Sequence, residues 1–520
     1  MADSGTWHNL PVLVIGAGPV GLAAAAHLAE RNLPFVVVEA GDSPGAAVRE
    51  WGHVRLFSPW QYNTDAAARR LLEPTGWTPP PGDELPTGAE LVDAYLAPLA
   101  AHPALAPHIR YRSRVVAISR DGIDRVRTAG REQAPFVIRM ADGEELLARA
   151  VIDASGTWRT PNVLGVNGLP AHGETDPALA GKITGALPDV LGADRDRFAG
   201  LHTLVVGAGH SAANTLLALA ELAEQEPGTT ITWAVRGGDL GRAFGGGDAD
   251  ALPGRGALGT GLRLLVESGR VAVRTGFGVR AVRLTPDGRV EVTPRIGESI
   301  VVDRVVSATG FRPDHSIASE LRVNLDPALG CTRALAPLID PNVHSCGTVR
   351  PHGVDELAHP EPGYFVVGMK SYGRAPTFLL ATGYEQVRSI TAALAGDWEA
   401  ARAVHLELPE TGVCSATAGA RAVAADVAAR LGLPADLPVK LVSAAIGHLA
   451  TTSDLQAAVQ AAARDLGLAP DTALTLAAAI ADQIQPLTGA NTAVQATKNT
   501  STGELLPLTP VSTQGGCCNG

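Results

Sequence analysis

The stretch Val14-Ile15-Gly16-Ala17-Gly18-Pro19-Val20-Gly21 decides how this chain reads, because it returns as Val205-Val206-Gly207-Ala208-Gly209-His210-Ser211-Ala212. Each copy follows a short apolar strand (Pro11 to Ile15, Leu204 to Val206) and opens an alanine-rich helix, the context in which a glycine fingerprint carries meaning. The first glycine, Gly16 or Gly207, makes the tight turn. The second, Gly18 or Gly209, lets a pyrophosphate approach the backbone, and the third position, Gly21 or Ala212, packs helix on strand. The phosphates then rest on the positive end of the helix, with Ser211 beside them in the second copy. One such turn fits many dehydrogenases. Two in tandem imply a chain that holds two dinucleotides at once and moves electrons between them.

The residues that end each second strand suggest which dinucleotide goes where. After Gly16, Phe35-Val36-Val37-Val38 ends in Glu39, whose carboxylate accepts hydrogen bonds from ribose hydroxyls and repels a 2′-phosphate, as suits FAD or NAD. After Gly207, Thr230 to Val235 ends in Arg236, a guanidinium that favours a 2′-phosphate and hence NADPH.

Length and composition bound the remaining choices. The 520 residues predict two or three domains, and 46% hydrophobic content is ample for buried cores although aromatics reach only 4%. Net charge is −11, from 42 basic against 53 acidic side chains, with no basic block, which argues against nucleic acid as a partner. The apolar start around Leu13 to Leu28 lacks a basic leader and carries the fingerprint, so it reads as strand, turn and helix. No run of about 18 apolar residues occurs, so no membrane span is expected. The cytoplasm is the expected compartment, with the cysteines reduced.

The predicted fold class is α/β, with two Rossmann-like dinucleotide-binding domains, the NADPH domain inserted in the FAD domain. The FAD domain would run over 1–161 as a βαβ start, a loop-rich stretch and the return strand Ala150-Val151-Ile152-Asp153, and resume over 311–407. The NADPH domain would occupy 162–310. The two domains have matching exits, Ala154-Ser155-Gly156-Thr157 and Ala308-Thr309-Gly310-Phe311-Arg312-Pro313-Asp314. After Trp398 the chain has no Phe, Tyr or Trp, and alanine-rich patterns predict a small helical appendage over 408–484. From Gln485 the sequence turns polar and ends Gly515-Gly516-Cys517-Cys518-Asn519-Gly520, a flexible tail over 485–520.

The double fingerprint, the two exits and the inserted second unit resemble the two-dinucleotide flavoproteins. Within these the chain is most similar to the flavin-containing monooxygenase-like branch, over roughly Asn9 to Leu394. The resemblance implies FAD and NADPH as cofactors, O2 and a small molecule as substrates, and a site beside the flavin ring where Gly310 and Gly368 line the exits. It also implies oxygenation of a soft nucleophile through a flavin C4a-hydroperoxide. Two departures stand out. The family's Phe-x-Gly-x-x-x-His signature is met only by Ile183-Thr184-Gly185-Ala186-Leu187-Pro188-Asp189, and Gly368-Met369 replaces a Gly-Asp pair. Disulfide reductases share the architecture, but none of the five cysteines forms a CxxC or CxxxxC pair.

Between Trp51 and Asn63 lies a loop that in the related fold passes near the flavin. Trp60 is expected to pack on the ring, and Ser58, Gln61 or Asn63 to hydrogen-bond near its reactive edge; ordinary loop packing is the alternative for each. His53 and His210 show no carboxylate partner and receive no acid–base role. Arg312 either meets the NADPH phosphates or holds its turn. The terminal Cys517-Cys518 pair offers soft sulfur donors for a thiophilic ion, with Cys414 as a third. The ending resembles the tail of mercuric reductases. Together with Leu408-Pro409-Glu410-Thr411-Gly412-Val413-Cys414 it resembles flavin monooxygenases of bacterial arsenic-resistance operons. A chance pair of exposed cysteines is the plainer reading. Two other functions stay open: an NADPH-driven flavin reductase of a metal(loid), quinone or partner protein, and a non-catalytic metalloid-binding or redox-sensing flavoprotein. A homodimer is left open.

Overall fold

The computed structural model describes residues 9–247, 250, 252–341, 349, 351–376, 378–406, 461 and 464–466. The chain divides into two compact units, Met1–Ala418 and Gly419–Gly520. In the second unit the described residues 461, 464 and 465 are helical; the rest of the expected appendage and the tail lie outside the described residues.

The first unit is built on two parallel sheets. One takes β1 (Val12–Ile15), β2 (Phe35–Val38), β3 (Ile109–Arg110), β7 (Ala150–Asp153) and β16 (Tyr364–Val366) in the order β16-β7-β1-β2-β3. The other takes β8 (Ile183–Thr184), β9 (His202–Val206), β10 (Thr230–Ala234), β11 (Ala272–Arg274) and β15 (Arg304–Ser307) in the order β11-β10-β9-β15-β8. Strand β16 follows the second sheet in sequence yet pairs with β7, which precedes it. The second nucleotide unit is therefore an insertion.

Strand alternation explains why each sheet is covered on both faces. Val12 and Val14 of β1 face the helices α1 (Pro19–Glu30), α2 (Ala66–Leu72) and α5 (Leu380–Leu394). Leu13 and Ile15 face the other way, onto Ile118, Phe136 and Ile138. Those residues belong to an antiparallel sheet of β4 (Val115–Arg120), β5 (Phe136–Met140) and β6 (Glu145–Ala148). The inserted unit repeats the plan. Val205 and Trp233 meet α3 (His210–Gln225) and α4 (Pro253–Glu267), whereas Leu204 and Val206 meet β12 (Val279–Leu284), β13 (Val290–Pro294) and β14 (Ile300–Val302).

The antiparallel sheet β4-β5-β6 corrects the expectation of a loop-rich stretch before β7. Its signal was present: Phe136, Ile138 and Met140 are buried while Arg139 between them is exposed, a period of two. The strands are short and interrupted by turns, so the alternation is easily passed over. Small residues decide the other face. The run Leu22 to Ala26 of α1 is fully buried, and a Cβ on Gly383 of α5 would stand 2.6 Å from Val20 Cγ2.

A buried charged triad joins the antiparallel sheet to β16. Glu361 accepts from Arg120 Nε at 2.7 Å on one oxygen and from Arg131 Nη2 at 2.6 Å on the other. The Arg322 backbone N–H adds a bond of 3.0 Å. All three side chains are nearly inaccessible. Burial works to raise the Glu361 carboxyl, but Arg131, Arg322 and Arg120 outweigh it and hold the group below its ordinary range.

Candidate functional site

The two fingerprint turns are the same piece of geometry built twice. Gly16 has φ +101°, and a Cβ there would lie 2.8 Å from the Ala154 carbonyl oxygen; Gly207 has φ +137°, and its Cβ would lie 2.1 Å from the Ala308 carbonyl oxygen. Each turn is thus closed by the exit of the neighbouring strand, β7 in one unit and β15 in the other. A Cβ on Gly18 or Gly209 would meet nothing within 4 Å, which leaves open space where a pyrophosphate approaches. Neither α1 nor α3 has a side-chain cap, so their first N–H groups stay available for an anion. At the third position a Cβ on Gly21 would stand 1.9 Å from the Gly16 carbonyl oxygen, whereas Ala212 is accommodated and fully buried.

The strand-end residues stand at the cradles. Glu39 accepts from the Ala17 N–H through Oε2 and from the Gly41 N–H through Oε1, both at 2.7 Å, so its carboxylate lies against the first fingerprint itself. Arg236 directly follows buried Val235, is exposed, and makes no ion pair among the described residues. Ser211 is half-buried on the first turn of α3. Both glycine cradles and both strand-end groups fit dinucleotides.

The two exits are tied to each other. Asn162 Nδ2 donates to the Thr309 carbonyl at 3.1 Å, Thr309 Oγ1 donates to the Asn162 carbonyl at 2.9 Å, and the Arg312 N–H donates to the Thr160 carbonyl at 3.0 Å. Gly310, with φ +87°, sits in this crossing beside Asn162. The backbone of Arg312 therefore holds its turn. Gly368, with φ +68°, opens a short 3-10 helix after β16 and donates its N–H to Gln386 Oε1 at 2.8 Å.

The loop from Trp51 to Asn63 reaches the inserted fingerprint within the first compact unit. Ser58 and Asn63 are buried and bonded to each other, with Ser58 Oγ donating to Asn63 Oδ1 at 2.9 Å and Asn63 Nδ2 donating to the Ser58 carbonyl at 2.6 Å. Tyr384 of α5 donates to the Asn63 carbonyl at 2.8 Å. Trp60 is buried and lines a cavity of about 510 Å³ with Arg55, Glu84 and Glu90, while Gln61 is exposed. Phe57 lies against the His210 ring at 4.7 Å, which brings this loop to the start of the second fingerprint helix. Burial, with help from nearby Arg255, pulls the His210 imidazole down to about 4, so it is neutral at physiological pH.

Sequence reasoning missed a polar cluster at the ends of β7 and β16. Asp153, fully buried, accepts from Lys370 Nζ at 2.7 Å, Tyr364 OH at 3.2 Å and Ser155 Oγ at 2.6 Å. Burial works to raise the Asp153 carboxyl, but Lys370 and Ser155 overcome it and hold the group below its ordinary range. The available signal was an aspartate ending an otherwise apolar strand. Cys414, Cys517 and Cys518 lie outside the described residues. Among the described residues no group of three or more His, Cys, Asp or Glu is arranged to hold a metal. No helix among them is long and apolar enough to cross a membrane.

Two nucleotide cradles on parallel sheets, one inserted in the other, define a two-dinucleotide oxidoreductase. The chain belongs to the pyridine nucleotide-disulphide oxidoreductase family, whose model matches residues 13–330, and its dinucleotides are FAD and NADPH. It is 30% identical over 204 residues to an indole-3-pyruvate monooxygenase of Oryza sativa, a match covering 38% of this chain and 42% of that enzyme. The match thus spans less than half the length of that relative. The fold is shared with a bacillithiol disulfide reductase of Bacillus cereus (TM-score 0.53, 18% identity, 74% of this chain and 99% of that one). It is also shared with the FAD-bound cadaverine monooxygenase of desferrioxamine biosynthesis from Erwinia amylovora (TM-score 0.53, 14% identity, 77% and 98%).

Proposed function

We propose that the chain is a monooxygenase that uses FAD and NADPH to transfer one atom of dioxygen to a soft nucleophile, with a trivalent arsenical as the first substrate class. What carries this reading is the pairing of two ligand-ready fingerprint turns with the lack of any cysteine pair spaced for a redox relay. Cys331 is buried in the core, and burial pushes its thiol up to about 11, where it is a poor nucleophile. With no CxxC or CxxxxC spacing in the sequence and Cys331 buried, the proposed route for electrons from NADPH is through the flavin to a small acceptor. The balance is NADPH, a proton, dioxygen and substrate giving NADP+, water and oxygenated substrate.

FAD, when bound, supplies the ring that takes hydride from the nicotinamide and passes electrons to oxygen. The chain's residues bind and orient. Gly16, Gly18, Gly21 and Glu39 seat FAD; Gly207, Gly209, Ser211, Ala212 and Arg236 seat NADPH; Gly310 and Gly368 shape the exits between them. The loop carrying Ser58, Trp60, Gln61 and Asn63 shields the site from water. Cys414, Cys517 and Cys518 act as sulfur ligands that deliver a soft ion.

The deciding experiment supplies isotopically labelled dioxygen with NADPH and trivalent arsenicals, sulfides or amines. One labelled oxygen in the product, with one NADPH consumed per product, is the expected result. Hydrogen peroxide in full balance with NADPH for every substrate would overturn it. Ile183, in the edge strand Ile183–Thr184, and Asp189 stand where the monooxygenase signature has Phe and His, and this favours a second reading as an NADPH-driven reductase. That reading predicts anaerobic reduction of an acceptor and no label in the product.

Two variants test the assigned residues. Arg236→Ala should cost the preference for NADPH over NADH about 10-fold to 100-fold in the ratio of Kd values, the worth of a charge-assisted hydrogen bond. An unchanged ratio removes Arg236 from the site. The double variant Cys517→Ser/Cys518→Ser should lose arsenite affinity in equilibrium dialysis while NADPH still reduces its flavin at the wild-type rate. Arsenite binding that survives the change would refute the tail assignment.

A further inference from the structure

The Asp153–Lys370 pair stands where three strand ends meet. In register, Asp153 lies beside Ile15 of β1 and beside Val366 of β16. The residue after Ile15 is Gly16, and the residue after Asp153 is Ala154, whose carbonyl closes the Gly16 turn. Just beyond Val366, the short helix Gly368–Tyr372 carries Lys370. This is the carboxyl end of the parallel strands, the edge at which doubly wound sheets take their ligands.

The pair is costly to keep for stability alone. Lys370 and Asp153 are almost wholly removed from water, and an apolar pair of the same volume would usually stabilise the core as well or better. The choice of cation is also unusual. Lysine occurs only at 182, 370, 440 and 498, against an arginine-dominated total of 42 basic residues. Every other ion pair among the described residues uses arginine or histidine. A compact ammonium with three donors does something here that a planar guanidinium does not. Lys370 Nζ reaches Asp153 Oδ2 at 2.7 Å and Ser155 Oγ at 3.0 Å, while Ser155 donates to the other Asp153 oxygen at 2.6 Å. One ammonium thereby binds the exit of β16 to the exit of β7, one residue from the closure of the first fingerprint.

We propose that Lys370, held by Asp153 and Ser155, is a positioning residue for FAD that fixes the β7 and β16 exit turns in the geometry that receives the flavin nucleotide. The inference rests on the FAD reading of the first fingerprint. It gives the buried pair a binding role: the ion pair ties the two turns in one fixed relation before the nucleotide arrives.

The test compares the full-length wild type, Asp153→Leu/Lys370→Met and Ser155→Ala, each stripped of flavin and titrated with FAD. Flavin fluorescence gives Kd, and the visible spectrum and midpoint potential report the surroundings of the ring. The double variant should fold, bind FAD at least 10-fold more weakly, and show an altered flavin spectrum and potential. Ser155→Ala, which keeps the charges, should bind about 3-fold more weakly. Wild-type affinity, spectrum and potential in a folded double variant would overturn the proposal. If the double variant does not fold, Ser155→Ala decides: weaker binding with a shifted spectrum supports the clasp, and wild-type values overturn it. A wild type that takes up no FAD sinks the FAD reading itself, an outcome distinct from variants that bind as the wild type does.

Discussion

Gly18→Ala is expected to leave the protein folded and to weaken its hold on FAD, while Gly21→Ala, three residues on, damages the fold. The difference lies in what each new methyl group meets. At Gly18 the backbone has φ −81°, which any residue adopts, and the added Cβ has no protein atom within 4 Å. The apoprotein should keep its stability within about 0.5 kcal/mol. If Gly18 seats FAD as proposed, the methyl enters the approach of the pyrophosphate, so FAD affinity should fall at least about 10-fold, the cost of losing close backbone approach. At Gly21 the Cβ would be 1.9 Å from the Gly16 carbonyl oxygen, and two main-chain segments must separate. Such overpacking costs about 1–3 kcal/mol or more and disturbs the turn as well. Thermal unfolding of the apoproteins and FAD titration separate the two cases. Equal losses of stability in both variants would contradict the assignment of Gly18 to the ligand.

Glu361→Ala is expected to be the most destabilising single change outside the cradles, by about 3–5 kcal/mol, because it leaves two buried guanidinium groups without their carboxylate. Arg120 ends β4, Arg131 opens the short 3-10 helix between β4 and β5, and Glu361 lies three residues before β16. Their separation should loosen the edge of the sheet that carries the first fingerprint. The effect carries a pH signature. The Glu361 carboxyl is held below its ordinary value of 4.5 in the folded chain. Its contribution is therefore fully present above that value and is lost as pH falls through the lower folded value. Denaturant midpoints of the wild type and Glu361→Gln should differ by a constant amount near neutrality and converge in acid below about pH 4.5. A gap independent of pH down to the acid limit would show that the carboxylate charge is not what holds the triad.

The parts of the site legible in the sequence are those whose physics is local. Gly16 and Gly207 announce themselves because a positive φ and a close carbonyl demand glycine within a strand–turn–helix a few residues long. Glu39 and Arg236 are found by counting from those glycines to the end of the next strand. The Trp51–Asn63 loop is singled out only by resemblance, and its inner arrangement is not legible in the sequence. Ser58 and Asn63 bond to each other, and Phe57 reaches His210 across the boundary of the inserted unit. Nothing in the loop's own composition specifies that contact, since an apolar ring next to a neutral imidazole carries no spacing rule.

Two dinucleotide fingerprints and the α/β class are legible in the amino-acid order alone, because hydrophobic period and glycine placement act over one or two turns of chain. Tertiary structure alone decided which distant groups share a low-dielectric interior. Asp153 meets Lys370 across 217 positions, and Glu361 meets Arg120 across 241. A charge is excluded from such an interior unless its partner arrives with it. That condition is met where the chain, having passed through the inserted unit, returns β16 beside β7.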